Sequence, residues 1–580
     1  MSDSTPARRT LGRRPFLLQS AALAALGCGD DDGAAGDGSV LDGSMMDSSV
    51  DVAPSDHALV DLQARDAVLP DEGRPDEGAM DGGMSDEGAP DAGPAGAFQL
   101  EEGFFTPAKM PMDVVAPRPM AELSELSVYR YAYAGVRYER PVAVRGGAWP
   151  FHYELLRGPM GMRVGAFLEE RDGTLERTPD YGVVQWTPPE GSDGDVFDVA
   201  VRVTDQEGNA LIVEWRIEVD RTRFVFVAPA GSPGDGTREA PLVGFEALYG
   251  SAGDTRFAGR IAVFRGGDYT LVGDPEASGN VRLSGGTSPT AWLAFPDETP
   301  VFDCRRAKIV FTGGNGDDMF FGGLTFDGGR QDVNNAHFIW ANTRFDRGVF
   351  WRNHFRNLER GQVGNDNPAA IFISGGPHRR HIAIVSNVFE NMGPGGGNGV
   401  AGYDTFALDE SLFEDNTARG CRSTHCFWLK GGHRRVTVRG ETLVDGNAAG
   451  TVLLNVSLGR DGRTERSENV EVSHCRTVSE GRAFAMRTVW ASSANETGPL
   501  WVYRCSVGGR FGALHRDEAD VTYERCLSTE GFPTGETIRA VESEIVGGGD
   551  FDGAMRLVGA ARERLIGTHG AEIAARFRTD

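Results

Sequence analysis

Lysine is nearly absent from these 580 residues; Lys109, Lys308 and Lys430 are the only three. Lys430 stands two positions after Trp428 in an alternating stretch, so in a strand both side chains leave by the same face. Aligning residues 370–387 with 426–441 sets Phe372 in the place of Trp428 one repeat earlier. Phe338 and Trp340 fall on the same outward face in the repeat before that. In the other direction the column continues through Asn455 to Arg487, and Arg434 follows at the next corner. Aromatic faces bury the apolar faces of sugar rings, and lysine or arginine pairs with carboxylate or sulfate groups. The small residues of 395–402 predict a groove beside Lys430, with Trp428 and Lys430 both open to solvent.

These residues need strands that repeat. A phrase of alternating apolar residues ending in a polar corner returns at 323–328, 349–355, 382–389, 406–413, 436–443, 470–475, 501–505 and 521–526. One copy cannot bury its apolar face alone, whereas copies stacked in parallel share a continuous core. The pattern predicts an all-β chain whose larger part is a parallel β-helix. Ile384, Leu408 and Val438 each stand third in their copy and are expected to form one inward column. Cys475, Cys505 and Cys526 take the corner position held earlier by Asn353 and Asn387, where a small apolar thiol can replace a stacking amide. Cys421 and Cys426 flank a short loop and are candidates for a local disulfide.

The repeats resemble the right-handed β-helix superfamily of pectate-lyase-like proteins over roughly residues 223–570. The Gly/Pro-rich stretch 226–241 is similar to that family's entry phrase, which implies a capping helix at 242–252. Stretches 261–271 and 290–302 are similar to its early rungs. The resemblance implies a lysine, here Lys430, that removes the proton alpha to a uronate carboxylate, assisted by an arginine for which Arg487 is a substitute outside the matching position. Such a base needs its pKa lowered by a neighbouring cation, Arg434 or a calcium ion. In the chondroitinase B and alginate lyase group an arginine follows on the next rung. Residues 451–456 have none.

The amino-terminal part divides into three. Residues 1–28 read as an export signal with a twin-arginine pattern (Arg13, Arg14) and a segment before Cys28 that resembles a bacterial lipobox. Residues 29–97 carry 18 Asp or Glu against two Arg and suit a solvated acidic tether. Residues 98–222 hold short alternating strands between Gly, Pro and Asp turns, which predicts a β-sandwich. Phrases at 146–151, 158–162, 186–188 and 203–205 resemble bacterial immunoglobulin-like modules, usually spacers or packing partners. Residues 223–580 are then the β-helix with its carboxy-terminal cap.

The expected protein is therefore a lipid-anchored component of the bacterial envelope, tethered through Cys28. On its β-helix face it binds an acidic polysaccharide, with or without cleavage by β-elimination. A non-enzymatic adhesion or envelope-structural protein is the alternative. A monomer is expected, and a net charge of −26 argues against a nucleic-acid partner. Calcium is the metal considered, with Asp317, Asp318, Asp366, Asp404 and Asp409 as scattered candidate ligands.

Overall fold

The computed structural model describes residues 107–545, less a series of short connecting segments; Cys28 and the segments before and after lie outside. The described residues belong to one compact unit.

Residues 113–219 form a sandwich of two four-stranded sheets. One contains Asp113–Ala116, Tyr138–Arg145, Gly182–Trp186 and Arg163–Gly165, and the other Tyr131–Ala132, Ala210–Val219, Val196–Thr204 and His152–Arg157. In Ala210–Val219 alternation decides the facing. Val213, Trp215, Ile217 and Val219 are buried, while Glu214, Arg216 and Glu218 are exposed.

From Phe224 onward the strands pair in parallel and build three long sheets of 15, 11 and 9 strands, a parallel β-helix. Identical side chains stack up its interior because each rung sits in register on the last, about 4.8 Å away. Phe302, Phe326, Phe355 and Phe389 stack with centroids 5.4, 5.2 and 5.2 Å apart. Trp292, Phe321 and Phe350 form a second stack at 4.8 and 5.3 Å. The column through Ile384 and Val438 runs by way of Phe413, not Leu408. Leu408 is buried, but it lies in a separate short strand, Leu408–Asp409, that pairs with Arg379–Arg380. Two short strands, Leu408–Asp409 and Leu412–Glu414, follow one another at that corner, and only the second continues the column. The expected capping helix is likewise a short strand, Leu242–Val243, followed by a 3-10 turn, Phe245–Leu248.

Between the 15- and 11-stranded sheets six successive described rungs turn through a left-handed residue. Arg352, Ser386, Asp415 and His474 adopt φ of 53–55° there, and Gly323 and Gly440 take the equivalent places. The next residue points inward. Nδ2 of Asn353 donates to Asn387, Asn387 to Asn416, and Asn416 to Glu441, at 3.0, 2.9 and 2.9 Å. Each of these asparagines also donates to a carbonyl of the preceding rung: Phe321, Phe350 and Ile384. Cys475, Cys505 and Cys526 continue the column as free thiols directed at the equivalent carbonyls of Val438, Val472 and Val502. The thiols therefore replace the amides in the same role. Cys421 and Cys426 are joined by a disulfide.

The sandwich lies on the outer face of the 15-stranded sheet. Phe226, Val263, Leu293, Phe320, Val349, Trp351, Val385 and Leu412 turn outward from the helix into one core with Tyr129, Tyr133, Val142 and Val144 of the sandwich. Farther along the same face the contact is polar. Arg439, fully buried, pairs with Glu414 at 2.8 Å and donates to the Val144 carbonyl at 2.8 Å. Its guanidinium also lies 4.8 Å from the ring centre of Phe151. Arg352 reaches Glu139 at 2.6 Å, and Lys109 reaches Glu524 at 2.8 Å.

Candidate functional site

The nine-stranded sheet carries the residues singled out for chemistry. Strand register aligns Trp340, Phe372, Asp404, Trp428, Asn455 and Arg487 in one column across six rungs. Alternation places this column on the outward face, since Ile339, Ile371, Tyr403, Phe427 and Leu429 are in the core. Phe338 is the exception among the outward assignments. It turns inward and packs beside the stacked pair Phe326 and Phe355, at 5.7 and 6.0 Å.

The lower end of the column is an aromatic platform. Trp340 and Phe372 are partly exposed, with ring centres 6.3 Å apart. Nε1 of Trp340 donates to Ser374 Oγ at 3.1 Å, which fixes the indole. His337 stacks on Phe372 at 4.7 Å with an interplanar angle of 7°, and Phe406 meets its edge at 6.1 Å.

Higher up, the arrangement differs from the expected open groove. The rung between Phe372 and Trp428 is the strand Ala401–Thr405, and it contributes the carboxylate of Asp404 where small side chains were expected. Lys430 bends back along its strand so that Nζ lies 3.8 Å from the Trp428 ring centre and 5.0 Å from that of Phe406. It ends 2.5 Å from Asp404 Oδ2, with side-chain exposures of 11% and 3%. Trp428 keeps only 7% of its surface, so the expectation of an accessible indole is corrected. A lysine lid, a neighbouring phenylalanine and a carboxylate occupy the space beside it.

The other predicted residues separate. Asn455 and Arg487 hold their register positions, but their side chains lie outside the described residues. Arg434 is not in the column. Its strand, Arg434–Arg439, belongs to the 15-stranded sheet, where it is in register with Asp409 and Glu468 and lies 3.6 Å from Glu468. The histidines that flank the arginines of the basic corners, His381 and His433, are buried, whereas Arg380 is exposed. His381 faces Glu410 at 3.1 Å beside the sandwich, and burial together with Arg118 pushes its pKa down to about 4. His433 is fully buried and accepts from the Leu408 amide at 3.3 Å. Of the calcium candidates, Asp318 pairs with Arg347 at 2.8 Å, Asp409 with Arg435 at 2.6 Å, and Asp404 with Lys430. Asp317 accepts from the Asp346 amide at 3.1 Å, and Asp366 lies outside the described residues. Among the described residues no group of three or more His, Cys, Asp or Glu is set to hold a metal ion.

Two features escaped the sequence reading. One is the salt bridge from Lys430 to Asp404, whose signal was the strand-like alternation of 401–405 behind the glycines. The other is the buried carboxylate of Glu441, which stands at the asparagine corner and follows Gly440 as Asn416 follows Asp415.

No protein-family model and no curated protein sequence matches the chain. Among solved structures, it is similar to the catalytic domain of GH87 alpha-1,3-glucanase in complex with nigerose: 12% identity, 71% of this chain, 86% of that one, TM-score 0.25. It is also similar to the family 28 exopolygalacturonase of Yersinia enterocolitica, at 11% identity over 74% of this chain and 99% of that one, TM-score 0.31. A third is the catalytic unit of the thermostable GH87 alpha-1,3-glucanase from Streptomyces thermodiastaticus strain HF3-3, at 12%, 76%, 97% and TM-score 0.25. At these scores the likeness adds no weight to the strand pairing already described.

Proposed function

We propose that this chain binds an extended polysaccharide along the outward column of its nine-stranded sheet. The observation that carries the reading is the partly exposed pair Trp340 and Phe372, held rigid by Ser374 and His337 at the foot of a six-rung column. Planar apolar rings at fixed spacing suit sugar faces, and their rigidity lowers the ordering cost of binding. Arg487 holds the register position two rungs beyond Trp428 in the same column. Binding, rather than β-elimination, is the chemistry this geometry favours. Nζ of Lys430 is held against Asp404 Oδ2 beside the rings of Trp428 and Phe406, so it is not placed to reach a proton on a bound substrate. Export and attachment to a bacterial membrane through Cys28 belong to the same proposal, supported by the amino-terminal sequence.

Affinity electrophoresis against alginate, pectate, chondroitin and neutral glucans tests the reading. Trp340→Ala is expected to weaken retardation by the matching glycan about tenfold or more, equivalent to about 1.5–3 kcal/mol of lost aromatic burial, with an unchanged melting profile. A second reading, a non-enzymatic adhesion or envelope-structural protein, draws on the 7% exposure of Trp428. Retardation by none of these polymers would favour it.

A further inference from the structure

The closed contact between Lys430 and Asp404 has the makings of a covalent bond. We propose that these two side chains condense to an intramolecular isopeptide, an amide linking adjacent rungs of the β-helix. Nζ of Lys430 lies 2.5 Å from Asp404 Oδ2, and the pair is shut between the rings of Trp428 and Phe406. Register explains why they meet. Asp404 is paired with Trp428, so Lys430, two residues farther along, must reach back diagonally over the indole to the carboxylate. The approach is fixed by both strands rather than by two flexible surface side chains.

The chemistry balances without any oxidant or co-reactant. One proton passes from Nζ to Oδ2 within the pair, giving an amine and an undissociated acid. Nζ then adds to Cγ of Asp404 and a C–N bond forms. The C–O bond to one oxygen breaks, and that oxygen leaves as water with two of the three original ammonium hydrogens. The third remains on the amide nitrogen. Keeping two charges in a dry aromatic site is costly, and an amide removes both. Exclusion of water also disfavours the reverse hydrolysis. The proposal extends the functional reading without depending on it. The aromatic platform of Trp340 and Phe372 can bind a glycan whether or not the amide forms, and the amide can form in a protein that binds none.

Peptide mass spectrometry on the purified full chain, reduced and digested with trypsin, decides the matter. In the cross-linked protein trypsin cannot cut after Lys430. The expected product is a branched peptide joining 381–419 to 423–434, lighter by one water than the sum of its parts. Lys430→Arg and Asp404→Ala should each yield only linear peptides, a readout that survives even if a variant misfolds. Asp404→Asn should still give the branch, now with loss of ammonia. Recovery of the linear peptide ending at Lys430 as the predominant product from the unaltered chain overturns the proposal.

Discussion

Two outward faces of the same β-helix have been treated differently. On the 15-stranded sheet, outward residues are covered by the sandwich, and Arg439, Glu414, Arg352 and Glu139 complete their pairing across or beneath it. On the nine-stranded sheet, Lys430 and Asp404 close the upper part of the column from within, while Trp340 and Phe372 stay partly open. Direction and exposure are therefore separate properties in this fold. Alternation decides which way a side chain points, and what lies above it decides whether a ligand can reach it.

The largest effect should come from breaking the domain contact. Arg439→Ala leaves Glu414 buried without its charge partner and is expected to cost about 3–5 kcal/mol in denaturant unfolding. Replacing Arg439 and Glu414 together with methionine should cost far less. Equal losses in the two variants would mean that the pair is not dry. In the helix interior Phe413→Ala, within the column of Ile384 and Val438, should cost a similar 3–5 kcal/mol. A null result there would break the register.

Acid should act selectively on the covered face. His381 has its pKa pushed down to about 4 by burial and by Arg118, and Arg118, Asp113 and Glu122 face it from the sandwich, with Glu410 from the helix. Between that value and the ordinary 6.5 the unfolded chain binds the extra proton. Stability should therefore fall as pH drops from about 6.5 toward 4. His381→Asn should flatten that part of the stability profile, as followed by melting temperature against pH.

Glu441 gives the opposite slope. Burial pushes its pKa well up, and Cys475 adds to the shift. The folded state then holds a proton that the unfolded state releases above about 4.5. The stability this proton supplies is complete below that pH and is lost as pH rises toward the folded value. Glu441→Gln should stabilise the protein at neutral pH by about 1–2 kcal/mol, with the gain shrinking in acid. A gain that persists unchanged below pH 4.5 would count against a neutral carboxyl. The smallest effect belongs to the 11-stranded sheet. Arg356→Ala removes a pair with Asp327 that is about one-third exposed and should change stability by less than about 1 kcal/mol.

Much of the column was legible before the structure. Period-two alternation, with 370–387 aligned on 426–441, is enough to align Trp340, Phe372, Trp428, Asn455 and Arg487, because register on a β-helix is cumulative. Asp404 was hidden by the glycines before it, which made a strand look like a gap. Leu408 misled because two short strands share one corner. The covering of the 15-stranded sheet did leave a signal. Phe224–Ala228 and Ala383–Val385 are unbroken apolar runs, the mark of strands buried on both faces. These runs mark the sheet on which the sandwich expected at 98–222 packs. The extra chemistry of Lys430 was out of reach, since it depends on a diagonal contact between rungs.

The most direct measurement is hydroxyl-radical footprinting of the tryptophans, with and without a glycan that the protein binds. Trp340 should be oxidised in the free protein and protected when the glycan is present. Trp351, at 6% exposure beneath the sandwich, and Trp428, at 7% beneath Lys430, should stay unlabelled in both states. Full labelling of Trp340 while glycan is demonstrably bound would place the binding surface elsewhere and contradict the proposed site.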